Sequence, residues 1–95
     1  MNKTKTETGE VSITFELSAE AAASTAVVCG DFNGWSLTAS PMRRREDGSF
    51  VATLVLPLGR YEFRYCVDGD RWFNDWHADD YVRNDLGSDN SVVIA

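Results

Sequence analysis

Three tryptophans are the residues whose type and setting point most directly to chemistry with a ligand. Trp35 follows Asp31-Phe32-Asn33-Gly34, a turn too polar to carry a large ring inward. Trp72 and Trp76 flank Phe73-Asn74-Asp75, a segment too polar to bury all of its aromatic groups. One tryptophan taken alone belongs more often to a core than to a surface. Three in polar loops of a 95-residue chain point instead to a recognition surface. An exposed planar ring stacks on the apolar CH face of a pyranose, while Arg, Asn and Ser side chains nearby hydrogen-bond its hydroxyls.

Other chemistries find less support. The one histidine, His77, has no nucleophile arranged beside it in the sequence. Ser36, Ser40 and Ser49 lie in ordinary turn contexts. Asp75, Asp79 and Asp80 could supply a carboxylate pair, but glycosidases hold such pairs across a cleft that encloses a sugar. A chain this short rarely builds one, so these read as solvated loop acids and no catalytic residue is assigned. Asp79, Asp80, Asp85, Asp89 and Asn90 offer oxygen ligands of the kind calcium takes. Their spacing is not that of an EF-hand loop, and neither a metal nor a cofactor is assigned. Arg43-Arg44-Arg45 falls on an expected strand, where alternate residues face opposite ways. It reads as charge that discourages edge-to-edge pairing, with an anion contact as the alternative. Cys29 and Cys66 read as small strand residues, and a bridge between them stays open.

The elements that must position these residues are strands. Val11-Ser12-Ile13-Thr14-Phe15-Glu16-Leu17 alternates apolar and polar residues with period two. Thr25 to Cys29 is apolar and β-branched and reads as a more deeply buried strand, and Phe50 to Leu56 ends at Pro57 and a Leu58-Gly59 turn. Tyr61, Phe63, Tyr65 and Val67 alternate with Glu62, Arg64 and Cys66 before Asp68-Gly69 turns the chain. Met42 to Arg45 pairs with the strand after Asp47-Gly48 as a hairpin, and Ser91 to Ile94 closes the domain. Ser18 to Ala23 is helix-friendly but too short for more than a loop or single turn. The expected fold is all-β: an immunoglobulin-like antiparallel sandwich of about seven strands, with Ile13, Phe15, Val27, Phe63 and Tyr65 in its core. It is not an immunoglobulin domain proper, because only five residues separate Cys29 from Trp35 and a turn lies between them.

Length allows one domain, residues 11–95, and 43% hydrophobic residues exclude disorder as its default state. Residues 1–10 are polar and read as a flexible tail, neither signal peptide nor anchor, with cytoplasmic residence as the default. Nine basic against fifteen acidic residues give a net charge of −6. That disfavours nucleic acid, where Lys and Arg must neutralise phosphate, and disfavours an anionic membrane. A neutral ligand carries no such penalty.

Three segments carry a resemblance: Cys29-Gly30-Asp31-Phe32-Asn33-Gly34-Trp35; Arg60 through Asp68-Gly69; and Asn84-Asp85-Leu86-Gly87-Ser88-Asp89-Asn90 through Val93. In this order they resemble the early-set sandwich domains at the N-termini of isoamylases and glycogen branching enzymes. Carbohydrate-binding module family forty-eight, with the glycogen-binding domain of the AMP-activated protein kinase β subunit, is the related group. The resemblance implies stacking roles for Trp35 and Trp72, and places Arg64 where the kinase-type site has a lysine. It implies that Leu86 wedges against the ring plane, and that Ser88 and Asn90 hydrogen-bond the sugar. The expected partner is an α-glucan polysaccharide or maltooligosaccharide held without catalysis. The alternative is an accessory module that docks a glucan-metabolising enzyme without binding sugar itself. Two departures stand out. Asp70-Arg71 adds one residue before Trp72, which could rotate its ring off the platform, and Trp76 stands where many relatives have proline.

Overall fold

The computed structural model describes residues 1–95. In chain order the strands are β1 (Asn2–Lys5), β2 (Val11–Leu17), β3 (Ala26–Gly30), β4 (Arg43–Arg44), β5 (Phe50–Leu56), β6 (Arg60–Val67), β7 (Arg71–Phe73), β8 (Asp80–Arg83) and β9 (Asp89–Ile94). One antiparallel sheet has the order β1-β2-β5-β4. The other has the order β3-β6-β9-β8, with β7 paired to the C-terminal half of β6. There is no α-helix, only single 3-10 turns at Ala19–Ala21 and Asp31–Asn33. No helix is long and apolar enough to cross a membrane.

The core forms where period-two faces of the two sheets meet. Ile13 and Phe15 from β2 are fully buried, as are Phe63, Tyr65 and Val67 from β6. Phe63 packs edge-on against Phe15 at 5.0 Å and against Tyr65 at 5.7 Å, the geometry ring quadrupoles favour. These residues match the expected core, and the two-sheet, nearly all-β architecture matches the expected class.

Four details differ. The structure has nine strands, because β1, β7 and β8 are short and their sequences carry no clean alternation. Residues 1–10 are not a frayed tail throughout. Asn2–Lys5 adds an edge strand to β2, and Lys3 forms an ion pair with Asp79 of the opposite sheet's connecting loop. Val27 is only partly buried, since Ala26 and Val28 take the inward positions of β3. An uninterrupted apolar run gives no parity by which to choose between them. Asp75, finally, is buried rather than solvated, at 5% exposure.

The Asp68-Gly69 turn also fastens the fold. Both residues have positive φ, at +51° and +81°. The Asp68 carboxylate accepts backbone N–H groups of Ser24 and Thr25 at 2.9 and 3.0 Å, tying the β6–β7 turn to the start of β3. Those backbone N–H bonds, with Arg71 beside them, hold its carboxyl below the usual range.

Candidate functional site

The outward face of the β3-β6-β9-β8 sheet carries the site. Because Phe63, Tyr65 and Val67 point inward, Glu62, Arg64 and Cys66 point outward. Trp72 lies directly across from Cys66, and Cys29 across from Arg64. This register sets Arg64 and Trp72 as diagonal neighbours, with the guanidinium 5.7 Å from the centre of the indole. Residues 68–70 form the turn before β7, and Trp72 lies beside Arg64.

Trp35 arrives from a separately built turn. Gly30 passes so close to β6 that a Cβ there would sit 2.5 Å from the Glu62 carbonyl oxygen, so no larger residue fits. Asp31 then bridges two elements: it accepts the Glu62 backbone N–H at 2.8 Å and the Trp35 indole N–H at 3.1 Å. Phe32 packs against Phe15 and Tyr61 and anchors the turn in the core. Asn33 accepts from Gly30 N–H and donates to the Val28 carbonyl and Ser40 Oγ, each near 3.0 Å. With the Asp31 and Asn33 side chains so employed, Trp35 is held half-buried at φ +59°.

The third wall comes from the β8–β9 turn. The Asn84 side-chain carbonyl accepts Leu86 N–H at 2.9 Å and Ser88 N–H at 3.2 Å. Its amide donates to Asn90 Oδ1 at 3.1 Å. This shapes a turn that projects Leu86 into solvent at 91% exposure. Asn90, nearly buried, donates in turn to Glu62 Oε1 at 3.1 Å.

Together these residues enclose a shallow, open depression of about 420 Å³, lined by Trp35, Arg64, Trp72, Asn84, Asp85, Leu86 and Asn90. Five of the six residues singled out from the sequence meet here. Ser88 does not line the depression: its hydroxyl lies 3.1 Å from the Asn84 amide and serves the turn. Asn84 and Asp85 were not expected to contact the sugar, although both lie in the motif that carries the resemblance. Their signal is the turn itself, since an Asn two residues before a projecting side chain commonly organises such a turn. Arg64 Nε is buried without a hydrogen-bond partner, an uncommon state for a donor. Cys29 and Cys66 are both free and buried beneath this surface. Burial first, then the neighbouring Cys66, pushes the Cys29 thiol up to about 11. Trp76 lies elsewhere, in a cleft at the sandwich edge.

An open surface walled by two indoles, with an arginine and an amide between them, on a two-sheet scaffold defines a β-sandwich carbohydrate-binding module. Residues 11–94 match the model of the glycogen recognition site of AMP-activated protein kinase, and the chain belongs to that family. It is 36% identical over 64 residues to the β-1 subunit of 5'-AMP-activated protein kinase from Rattus norvegicus, covering 67% of this chain and 22% of that one. It is 33% identical over 66 residues to the β-2 subunit from Homo sapiens, covering 70% of this chain and 23% of that one. The β-1 subunit from Sus scrofa is 36% identical over 64 residues, covering 67% and 48%. The chain thus spans between about a fifth and a half of the length of these relatives.

Proposed function

We propose that the chain binds linear α-1,4-glucan, as glycogen, starch or maltooligosaccharide, in the depression on the β3-β6-β9-β8 sheet, without transforming it. The observation that carries the reading is convergence: Trp35, Arg64, Trp72, Leu86 and Asn90 come from four separate parts of the chain into one open surface. Trp35 and Trp72 supply the faces on which glucose rings stack. Arg64 offers donors to the sugar hydroxyls, and Asn90 keeps one amide hydrogen beyond its bond to Glu62. Leu86 closes the ring plane from the rim, with Ser88 acting through Asn84. The shape suits binding more than hydrolysis, because a shallow surface leaves both sides of a glycosidic bond open to water.

A surface of this kind binds weakly, at roughly 5–6 kcal/mol, or a dissociation constant of about 0.1 mM. Titration calorimetry with maltoheptaose checks this directly. Heat that saturates near that concentration, and that falls sharply in Trp72→Ala, is the expected result. Absence of heat at millimolar maltoheptaose from the folded chain would instead support a module that docks a glucan-metabolising enzyme through the same aromatic surface.

A further inference from the structure

Trp76 is the most exposed of the three tryptophans, at 62%, and plays no part in the depression described above. Its ring borders a separate cleft of about 300 Å³ where the end of β2 and the β4–β5 turn approach the segment after β7. An adjoining hollow shares Glu16, Asp75 and His77 and runs on past Thr14 to Met1.

The segment that presents Trp76 is firmly held. Asp75 accepts the buried Tyr65 hydroxyl and the His77 backbone N–H, and its own N–H donates to Ser91 Oγ at 2.9 Å. The Tyr81 hydroxyl donates to the Asp75 carbonyl, and Asn74 accepts from Ser91 and donates to the Asp89 carbonyl. A chain pinned on both sides of one exposed indole is a preorganised platform, because little is left to order when a ligand arrives. In the same cleft, Arg45 and Glu16 form a half-exposed ion pair. A donor and an acceptor held side by side match the adjacent hydroxyls of a pyranose. Leu17 and Trp76 are the only apolar walls, so the cleft does not suit the hydrophobic anchor of a docked protein.

We propose that the Trp76 cleft is a second saccharide subsite, with Trp76 as its stacking face and Arg45, Glu16 and Ser18 as its hydroxyl partners. It shares no residue with the first site, so one molecule can hold two glucan segments at once. This rests on the glucan-binding reading above.

The test follows the three indole N–H resonances of the ¹⁵N-labelled chain through a titration with maltoheptaose. The Trp76 resonance is expected to shift along its own saturation curve, distinct from those of Trp35 and Trp72. In folded Trp35→Ala it still shifts, with a dissociation constant changed by no more than about twofold, since separate sites act additively. A Trp76 resonance that stays fixed while Trp35 and Trp72 saturate overturns the second subsite and leaves the first intact. A Trp76 shift that tracks Trp35 and vanishes in Trp35→Ala also overturns it, as an indirect effect of the first site. If no indole moves, both readings fall together.

Discussion

Trp35 holds a left-handed backbone at φ +59°, directly after Gly34 at φ +66°. A bulky residue with positive φ is strained, and such strain collects where a side chain must be aimed rather than where it packs best. Glycine would adopt this backbone freely. Trp35→Gly and Trp35→Ala are therefore both expected to lose glucan binding in the depression, with the glycine variant about 0.5–1 kcal/mol the more stable in urea melts. An alanine variant as stable as the glycine one would show that the left-handed backbone carries no strain. The same residue shows how much of the site can be read from sequence. The polarity of Asp31, Asn33 and Gly34 told that the ring stays near the surface. Its partner in the depression is Trp72 and not Trp76, which depends on strand register: Trp72 falls across from Cys66. Asn84 escaped because its contribution is to shape a turn, which no property of the isolated residue announces.

Among the elements, the antiparallel pairing of β3 with β6 leaves no room for a side chain at Gly30. The space at Gly30 is bounded by the Glu62 carbonyl and by the Phe63 Cβ at 2.8 Å, which cannot turn aside as a flexible side chain could. Gly30→Ala is expected to cost about 2–3 kcal/mol by overpacking, read from the urea midpoint. Because Asp31 hangs from the same point, the variant should also weaken maltoheptaose binding under conditions where it remains folded. A variant as stable as the parent would mean that β3 can lift away from β6. Legibility at this scale follows length and alternation. β2, β5 and β6 span seven or eight residues each and are plain in the sequence, whereas β1, β7 and β8 have three or four residues and owe their existence to a neighbour's edge. The inward face of β3 was hidden by its continuous apolar run. Asp75 was hidden because its partners, Tyr65 and Ser91, are ten and sixteen residues away.

Across the whole molecule, acids and neutral donors set opposite limits on stability. Ser49 holds the Asp47 carboxyl low, and the Thr25 and Ser24 N–H groups do the same for Asp68. Burial raises Asp79, but Lys3 and the Ile94 N–H outweigh it and the net shift is downward. Carboxyls depressed in the folded state take up protons more readily once unfolded. Their stabilisation is present above the ordinary carboxylate range and is lost as pH falls through the folded values. Burial, with Asp75 beside it, raises the Tyr65 phenol far above its ordinary range, and burial raises Cys29 to about 11. These act in the other direction: their contribution is complete below about pH 9 and declines above it, once the unfolded chain begins to ionise. Urea midpoints measured against pH should therefore form a plateau that falls below about pH 4 and again above about pH 9. A flat acid arm would show that these three carboxylates do not distinguish the folded chain from the unfolded one.

The placing of the chain ends has a further consequence. Asn2–Lys5 runs in the opposite sheet from the aromatic depression, and Ala95 pairs with Gly59 at the start of β6, seven residues before the Cys66 position that faces Trp72. A glucan lying across Trp35 and Trp72 has the β1 sheet behind it. A peptide joined before Asn2 therefore leaves from the sheet behind the depression and does not shade a sugar on Trp35 and Trp72, so the domain can serve as a fused handle for retaining cargo on immobilised glycogen.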